Sequence, residues 1–309
     1  MKNRSTVTNL AVFTDYVVQS MDEKYQVDVI YTDFEKAFDR VDHVILLQKL
    51  SVLGVNGSLL RWFTSYIKNR MQAVVTGSAR SNFVIIPSGV PQGSILGPLL
   101  YNAYLFDIGS CFHLAQYLMF ADDTKIFVKI RSLDDCHKLQ HDLNALTEYY
   151  ARNRIIVNVK KCHHITLTRK KNIIEFNFKI NGTCIPRVTA VRDLGIQIDA
   201  KFSMNEHVDN VANRAFKQLG FIKRVTRSFS NLECIKALYF AYVRSILEYA
   251  CNVWTPQYIT HIERLETIQK QFIKYLTFKD FKEFNSYEEA CSHYGIDTLE
   301  QRRNQSDML

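Results

Sequence analysis

Three aspartates are the residues of this 309-residue sequence whose type and spacing suit chemistry best. Asp33 directly follows an alternating apolar run that predicts a β-strand. Asp122 and Asp123 lie between two further apolar runs, an arrangement typical of a hairpin with two carboxylates at its tip. Hard divalent cations such as Mg²⁺ prefer carboxylate oxygens. A pair of such ions, roughly 3.5–4 Å apart, catalyses phosphoryl transfer, so the pattern indicates a two-metal site.

The same residues also have a simpler interpretation as turn residues. A single aspartate at a strand end usually belongs to a turn, and an Asp-Asp pair is usually solvated. Asp134-Asp135 is an example of the simpler case, because its place at a predicted helix N-terminus is typical of a cap. The neighbours and the order of the carboxylates must therefore decide between the two interpretations.

The elements that would position these carboxylates form an α+β part followed by a helical part. Strands are predicted at residues 26–32, 73–76, 83–86, 116–120, 124–129, 155–159 and 164–168, with 73–76 and 83–86 paired across Gly77-Ser78. Helices are predicted at residues 44–53, 58–68, 94–107 and 133–151. Ser203–Glu206 and Ser230–Glu233 match capping boxes and predict the starts of later helices. We therefore divide the chain into residues 1–200 and 201–309.

Composition and charge narrow the class of protein. The chain is 47% hydrophobic, so a substantial core is expected, and its net charge of +8 suits either a polyanionic partner or an ordinary basic protein. Seven scattered cysteines without C-x-x-C spacing favour reduced thiols in an intracellular protein, in the cytoplasm or the nucleus. The sequence shows no signal peptide and no apolar run of membrane-spanning length, so we expect no membrane partner.

Three stretches resemble the active-site motifs of reverse transcriptases. Residues 31–43 (YTDFEKAFDRVDH) resemble motif A, residues 89–98 (GVPQGSILGP) resemble motif B, and residues 120–123 (FADD) resemble motif C. Their order is that of right-hand polymerases, and their residues are most similar to those of reverse transcriptases from non-LTR (LINE-type, jockey-like) retrotransposons. The resemblance covers nearly the whole chain. It implies an α+β right-hand polymerase palm with partial fingers, in which an antiparallel sheet packs on helices, followed by a helical thumb and C-terminal extension.

The resemblance implies a role for each matched residue. Asp33 and Asp122 would bind both catalytic metals, and Asp123 would be a weaker ligand or a support. The backbone carbonyl of Phe34 would also face a metal. The ring of Phe38 would fill the space that a ribose 2′-hydroxyl needs, so it would act as a steric gate that favours dNTPs.

Motif B and a fourth motif add three more residues. Gln92 and Gly93 would lie against the incoming nucleotide and the template, where glycine lets a backbone approach a ligand closely. Residues 158–162 (NVKKC) resemble motif D, in which a lysine helps to protonate the leaving pyrophosphate. Lys161 fits this role better than Lys160, because it lies three residues after the asparagine. A solvated basic loop is the alternative interpretation of the stretch.

The implied reaction is RNA-directed DNA synthesis, in which a nucleotide passes from a dNTP to a primer 3′-hydroxyl. The expected cofactors are two Mg²⁺ ions, with Mn²⁺ as the alternative. The expected partners are an RNA template, a DNA primer and dNTPs, while the oligomeric state is left open.

Other functions compete with this hypothesis. The similarity begins at Lys2–Thr6, which resembles the end of a fingers motif, so the upstream fingers strands are expected to be missing. The alternative is therefore a truncated, catalytically dead remnant that binds nucleic acid. An RNA-templated RNA polymerase or a telomerase-like enzyme is a further rival, and relative use of rNTPs and dNTPs would decide. Motif B disfavours a two-metal nuclease.

Overall fold

The computed structural model describes residues 5–307, so residues 2–4 of the predicted fingers stretch lie outside the described part of the chain. The chain divides into two compact units. One unit is Val17–Thr189, and the other combines the described residues before Val17 with those from Ala190 onward.

The helices and strands have the following bounds. The helices are α1 Thr6–Asp22, α2 His43–Val52, α3 Gly57–Ile67, α4 Leu96–Tyr104, α5 Leu133–Arg152, α6 Asn205–Val225, α7 Leu232–Tyr239, α8 Ser245–Glu248, α9 Cys251–Trp254, α10 Ile259–Asp280, α11 Tyr287–Tyr294 and α12 Leu299–Asp307. The strands are β1 Gln26–Thr32, β2 Arg70–Gln72, β3 Val75–Thr76, β4 Ala79–Arg80, β5 Val84–Ile86, β6 Gln116–Phe120, β7 Asp123–Ile130, β8 His163–Leu167, β9 Lys179–Ile180, β10 Thr183–Cys184, β11 Ala190–Asp193 and β12 Ile196–Asp199. A 3₁₀ turn at Ile108–Cys111 follows α4, and a π-helical turn at Phe240–Arg244 joins α7 to α8.

A four-stranded antiparallel sheet is the centre of the first unit. Its strand order is β6-β7-β1-β8, and every pair of neighbours is antiparallel. The central strand β1 is buried along nearly its whole length, because β7 and β8 pair with it on both edges. The predicted α+β class with an antiparallel sheet packed on helices is confirmed.

Helix α5 covers one face of this sheet. Ile30 of β1 and Ile126 of β7 are fully buried in one core with Leu139 and Leu143 of α5. Side chains alternate between the two faces of a strand, so this burial fixes which residues of β1 point toward α5. At the start of α5, the Asp135 carboxylate accepts the backbone N–H groups of Arg131 and Ser132, as expected of a cap.

One predicted strand pairing and one predicted strand of the first unit were wrong. Residues 73–76 do not pair with 83–86: β3 pairs with β4 across Gly77-Ser78, whereas β5 pairs with β2. The turn was predicted correctly, but its two-residue loop closes on the strands next to it, and local periodicity does not identify the longer-range partner. Residues 155–159 form only an isolated bridge, Phe34 to Val157, before the chain turns at Asn158.

Both predicted capping boxes in the helical part were also wrong. Helix α6 has Met204 as its N-cap, because the Asp199 carboxylate binds the hydroxyl and the N–H of Ser203. Helix α7 is capped by Asn231 and not by Ser230; the Asn231 side chain accepts the N–H groups of residues 233 and 234. The helices themselves form as predicted, since their apolar stripes are buried. No helix within residues 5–307 is both long and apolar enough to cross a membrane.

Candidate active site

The backbone register places Asp33 and Asp123 beside each other at one end of the sheet. Thr32 of β1 pairs with Thr124 of the antiparallel strand β7. Asp33 follows Thr32 and Asp123 precedes Thr124, so both aspartates lie just beyond this pair. Neighbouring strands are about 4.8 Å apart, and directly opposite residues point to the same face. Two carboxylates from distant parts of the sequence therefore share one sheet end.

Asp122 lies in the two-residue loop of the β6–β7 hairpin. Phe120 pairs with Asp123, which leaves Ala121 and Asp122 as the connection. Ala121 has φ +54°, a left-handed conformation that costs a non-glycine residue about 1–2 kcal/mol. The tight loop holds Asp122 at the hairpin tip, at the same end of the sheet as Asp33. Its side chain is half-buried.

The start of this hairpin is held by a buried carboxylate. Asp142 of α5 is 1% exposed and accepts the backbone N–H groups of His113, Leu114 and Ala115, immediately before β6. Hydrogen bonds to several N–H groups offset the cost of burying its charge. The hairpin that carries Asp122 is thereby fixed to α5 at its base.

Lys161 forms an ion pair with Asp33. Its Nζ lies 3.5 Å from Asp33 Oδ2, and the lysine side chain is 67% exposed. The turn at 158–162 creates the contact: the Asn158 N–H donates to the Asp33 carbonyl, and the N–H of Lys161 donates to the Asn158 carbonyl. Lys160 is exposed at the same turn. Of the two lysines, the structure brings Lys161 to the carboxylate.

Phe34 has a buried ring, and its backbone carbonyl points away from residues 156–158. Its ring packs edge-on against Tyr150, at 4.8 Å between centroids. The flanking hydrogen bonds, from Asn158 N–H to the Asp33 carbonyl and from Glu35 N–H to the Ile156 carbonyl, bracket Phe34. In such an antiparallel bridge the central residue directs its own carbonyl to the opposite side.

The ring of Phe38 stacks on Tyr101 of α4. The centroids are 4.5 Å apart and the planes differ by 24°. Tyr101 is 2% exposed, and burial raises the pKa of its hydroxyl far above the usual range, with a further contribution from the charge of Asp122. Phe38 thus stacks on a buried tyrosine whose hydroxyl is also influenced by the charge of Asp122.

The motif B segment is bound to the loop that carries Phe38. The N–H of Val90 donates to the Phe38 carbonyl at 2.9 Å, and Gln92 Nε2 donates to Asp39 Oδ1 at 2.7 Å. Gly89 has φ +88°, and an added Cβ would lie 2.7 Å from the Asp39 carbonyl oxygen, so only glycine permits this approach. Gly93 also has positive φ, but it is exposed and faces open space.

The carboxylates share one end of the sheet without forming a metal-binding cluster in the described part of the chain. Within residues 5–307, no three His, Cys, Asp or Glu side chains are gathered as a set that could hold a metal. Asp33 is paired with the ammonium of Lys161.

Asp33 nevertheless has the property expected of a metal ligand. Its Oδ2 atom is buried and accepts no hydrogen bond, although a buried carboxylate oxygen is usually hydrogen-bonded, and it is paired with the Lys161 ammonium 3.5 Å away. The donor set is all oxygen, as Mg²⁺ and Mn²⁺ prefer. These residues therefore fit a divalent cation.

Two residues of this region were not singled out from the sequence. From the sequence, Tyr101 is expected to be an ordinary core aromatic of an apolar helix, and the residues next to it do not indicate a contact with Phe38. Asp39 lies within the motif A stretch, but its link to Gln92 joins segments far apart in sequence. Only spatial proximity identifies either residue.

Comparison with known proteins supports the motif resemblance. Residues 1–222 match the family described as reverse transcriptase (RNA-dependent DNA polymerase). Similar proteins include a probable RNA-directed DNA polymerase from transposon X-element of Drosophila melanogaster, 26% identical over 97% of this chain and 35% of the relative. The RNA-directed DNA polymerase from mobile element jockey of the same organism is 25% identical over 84% of this chain and 29% of the relative. The chain spans about a third of the length of these relatives.

Solved structures show weaker similarity. Apo telomerase from Candida tropicalis aligns with a TM-score of 0.46 and 10% identity, over 96% of this chain and 55% of the telomerase chain. Telomerase from Candida albicans, in complex with a fragment of telomeric RNA, aligns with a TM-score of 0.42 and 14% identity, over 89% and 47% of the two chains. These scores carry no conclusion about this chain.

The family match includes the three motifs and the whole sheet that positions them. Members of this family generally use divalent metal ions. The chain belongs to the reverse transcriptase family.

Proposed function

We propose that this chain is an RNA-directed DNA polymerase of a non-LTR retrotransposon. It would transfer a nucleotide from a dNTP to a primer 3′-hydroxyl on an RNA template, using two Mg²⁺ ions, or Mn²⁺ in their place. The observation that carries the proposal is the buried Oδ2 of Asp33, which accepts no hydrogen bond and lies at the sheet end that Asp122 and Asp123 share. This oxygen accepts no hydrogen bond, and its ion-pair partner, the Lys161 ammonium, is largely exposed, so a divalent cation would meet a buried carboxylate oxygen that no hydrogen bond occupies.

In this proposal Asp33 and Asp122 bind both ions, and Asp123 supports them. The Phe34 carbonyl adds a further oxygen, in keeping with its orientation away from residues 156–158. When bound, the ions would activate the primer hydroxyl and stabilise the leaving pyrophosphate. Lys161 would donate a proton from Nζ to that pyrophosphate, and its contact with Asp33 supports a place beside the metals.

The nucleotide would lie against Phe38, Gln92 and Gly93. The Phe38 ring would exclude a ribose 2′-hydroxyl, since its other side is supported by Tyr101. Gly93 leaves open space for a ligand next to the backbone. Gln92 is held by Asp39 and would meet the base pair from a fixed position.

Primer extension on an RNA template tests the proposal. Asp33→Asn and Asp122→Asn should each lower the rate on the order of 10²-fold or more, because a lost metal ligand removes about 3 kcal/mol of transition-state stabilisation. Asp134→Asn is the matched control: this aspartate pairs with Lys138 on α5 and should be silent. Full activity of Asp122→Asn would exclude the assigned metal role.

The same experiment distinguishes the binding remnant from the polymerase. A labelled RNA–DNA hybrid that binds the unmodified chain, without any extension, would favour the remnant. Extension with dNTPs that exceeds extension with rNTPs would favour the reverse transcriptase over an RNA polymerase. RNA, DNA and dNTPs occur inside cells, so the proposal keeps the cytoplasmic or nuclear location predicted from the sequence.

A further inference from the structure

We propose that Tyr101 is a positioning residue that sets sugar selectivity: its ring supports the Phe38 gate, and its hydroxyl donates to Asp122 once metal is bound. The inference rests on the proposed function, because it concerns the nucleotide and metal sites assigned above. Tyr101 lies outside the three motifs and on a helix that the sequence marks only as apolar.

The ring contact leaves Phe38 little freedom to retreat. The backbone of Phe38 is fixed by the hydrogen bond from the N–H of Val90. Its ring stacks on Tyr101, with centroids 4.5 Å apart. Tyr101 is itself immobilised, because it is 2% exposed in the core that also contains Leu100 and Tyr104. A 2′-hydroxyl that pressed on Phe38 would therefore meet a packed pair of rings, which resists displacement.

The hydroxyl of Tyr101 is unpaired inside the protein. It is buried and has no hydrogen-bond partner, which is unfavourable for a polar group. After burial, the charge of Asp122 contributes most to the raised pKa of this hydroxyl, ahead of the contributions of Tyr150 and Tyr104. A neutral O–H that donates to Asp122 would keep this carboxylate charged and oriented for a cation.

Two substitutions separate the ring from the hydroxyl. Tyr101→Phe keeps the stacked ring and removes the donor, whereas Tyr101→Leu removes both. Phe38→Val serves as the reference for a lost gate. Tyr101→Met is the additional variant that fills the core if Tyr101→Leu does not fold, and thermal unfolding of each variant reports on folding.

The first readout is the affinity ratio of dNTP to rNTP, measured by competition against a fluorescent dNTP on the chain bound to a primer–template. Tyr101→Leu should shift this ratio toward rNTP by about 3- to 10-fold, the strength of one aromatic stack. Tyr101→Phe should leave the ratio within about twofold of that of the unmodified chain, because the ring alone supports the gate. In a Phe38→Val background, Tyr101→Leu should add nothing further.

The second readout is Mn²⁺ binding to the protein alone, followed by electron paramagnetic resonance of the free ion. Tyr101→Phe should weaken binding on the order of 10-fold, as loss of a group that orients a ligand does. Unchanged Mn²⁺ affinity in Tyr101→Phe would overturn the role of the hydroxyl. This readout does not depend on primer extension.

The outcomes separate the inference from the proposed function. If Phe38→Val shifts the sugar ratio and neither Tyr101→Leu nor Tyr101→Met does, the positioning role of Tyr101 is overturned while the gate stands. If Phe38→Val also leaves the ratio unchanged, the gate itself is wrong, and the selectivity role of Tyr101 is overturned with it.

Discussion

Lys161 should compete with the metal for Asp33, so removing its charge should tighten metal binding. The ammonium lies 3.5 Å from Asp33 Oδ2, and two unit charges at that distance in a water-like medium attract by about 1 kcal/mol. The lysine is 67% exposed, which makes the water-like value the right one. Lys161→Met should therefore lower the dissociation constant for Mn²⁺ about fivefold.

The assay is a Mn²⁺ titration of the purified chain at low and at high salt. Lys160→Met is the control, because it loses the same charge from the same turn, and we expect a change of less than about twofold. The effect of Lys161→Met should shrink toward 1 M salt, where the Debye length is about 3 Å. If the lysine also donates a proton, primer extension should slow while metal binding tightens.

Several results would refute this reasoning. Equal or weaker Mn²⁺ binding in Lys161→Met would show that the Lys161 ammonium does not compete with the metal for Asp33. An equal gain in Lys160→Met would show a general effect of net charge. Slower extension together with weaker metal binding would assign Lys161 to the support of the metal site and not to competition for it.

Three further predictions concern the gate, the backbone and the acid stability. Phe38→Val should increase rNTP use relative to dNTP use, measured by single-nucleotide incorporation, since the smaller side chain leaves room for a 2′-hydroxyl; unchanged selection would exclude the gate. Gly89→Ala should destabilise the chain by about 3 kcal/mol or more in urea unfolding, because its Cβ would overlap the backbone of Asp39, whereas Gly93→Ala should cost only about 1–2 kcal/mol of left-handed strain. Burial and the nearby charges of Arg214 and Arg192 lower the pKa of His207 from 6.5 to about 4. The unfolded chain therefore binds a proton at His207 more tightly than the folded chain does, and the free energy of unfolding falls as the pH drops below about 6.5. Between pH 7.5 and 5 the loss should be about 2 kcal/mol, and a His207→Gln variant with the same pH slope would contradict this assignment.

Local sequence patterns were sufficient for the elements that carry the carboxylates. The alternating run before Asp33 predicted β1 with its observed bounds, although the polar residues Gln26 and Asp28 are buried as well. The FADD stretch gave the hairpin tip, since β6 and β7 flank it in sequence. Capping residues were less predictable: the carboxylate of Asp199 binds Ser203, and the expected capping box does not form.

Partners that are distant in sequence had to come from the folded structure. The pairing of β2 with β5, and not of 73–76 with 83–86, depends on which segments meet after the chain folds back. The stack of Phe38 on Tyr101 and the link from Gln92 to Asp39 have the same origin. The local pattern of apolar and polar residues does not predict such contacts.

The candidate metal ligands follow from the sequence alone: three aspartates, at a strand end and a hairpin tip, lie in motifs whose order and residues resemble those of one family. Folding sets the charged and hydrogen-bonding surroundings of these residues. It pairs Lys161 with Asp33 and leaves the Asp33 Oδ2 atom buried without a hydrogen bond. The physical reason is that residue types and spacing specify local conformation, whereas charge balance depends on which distant groups folding brings together.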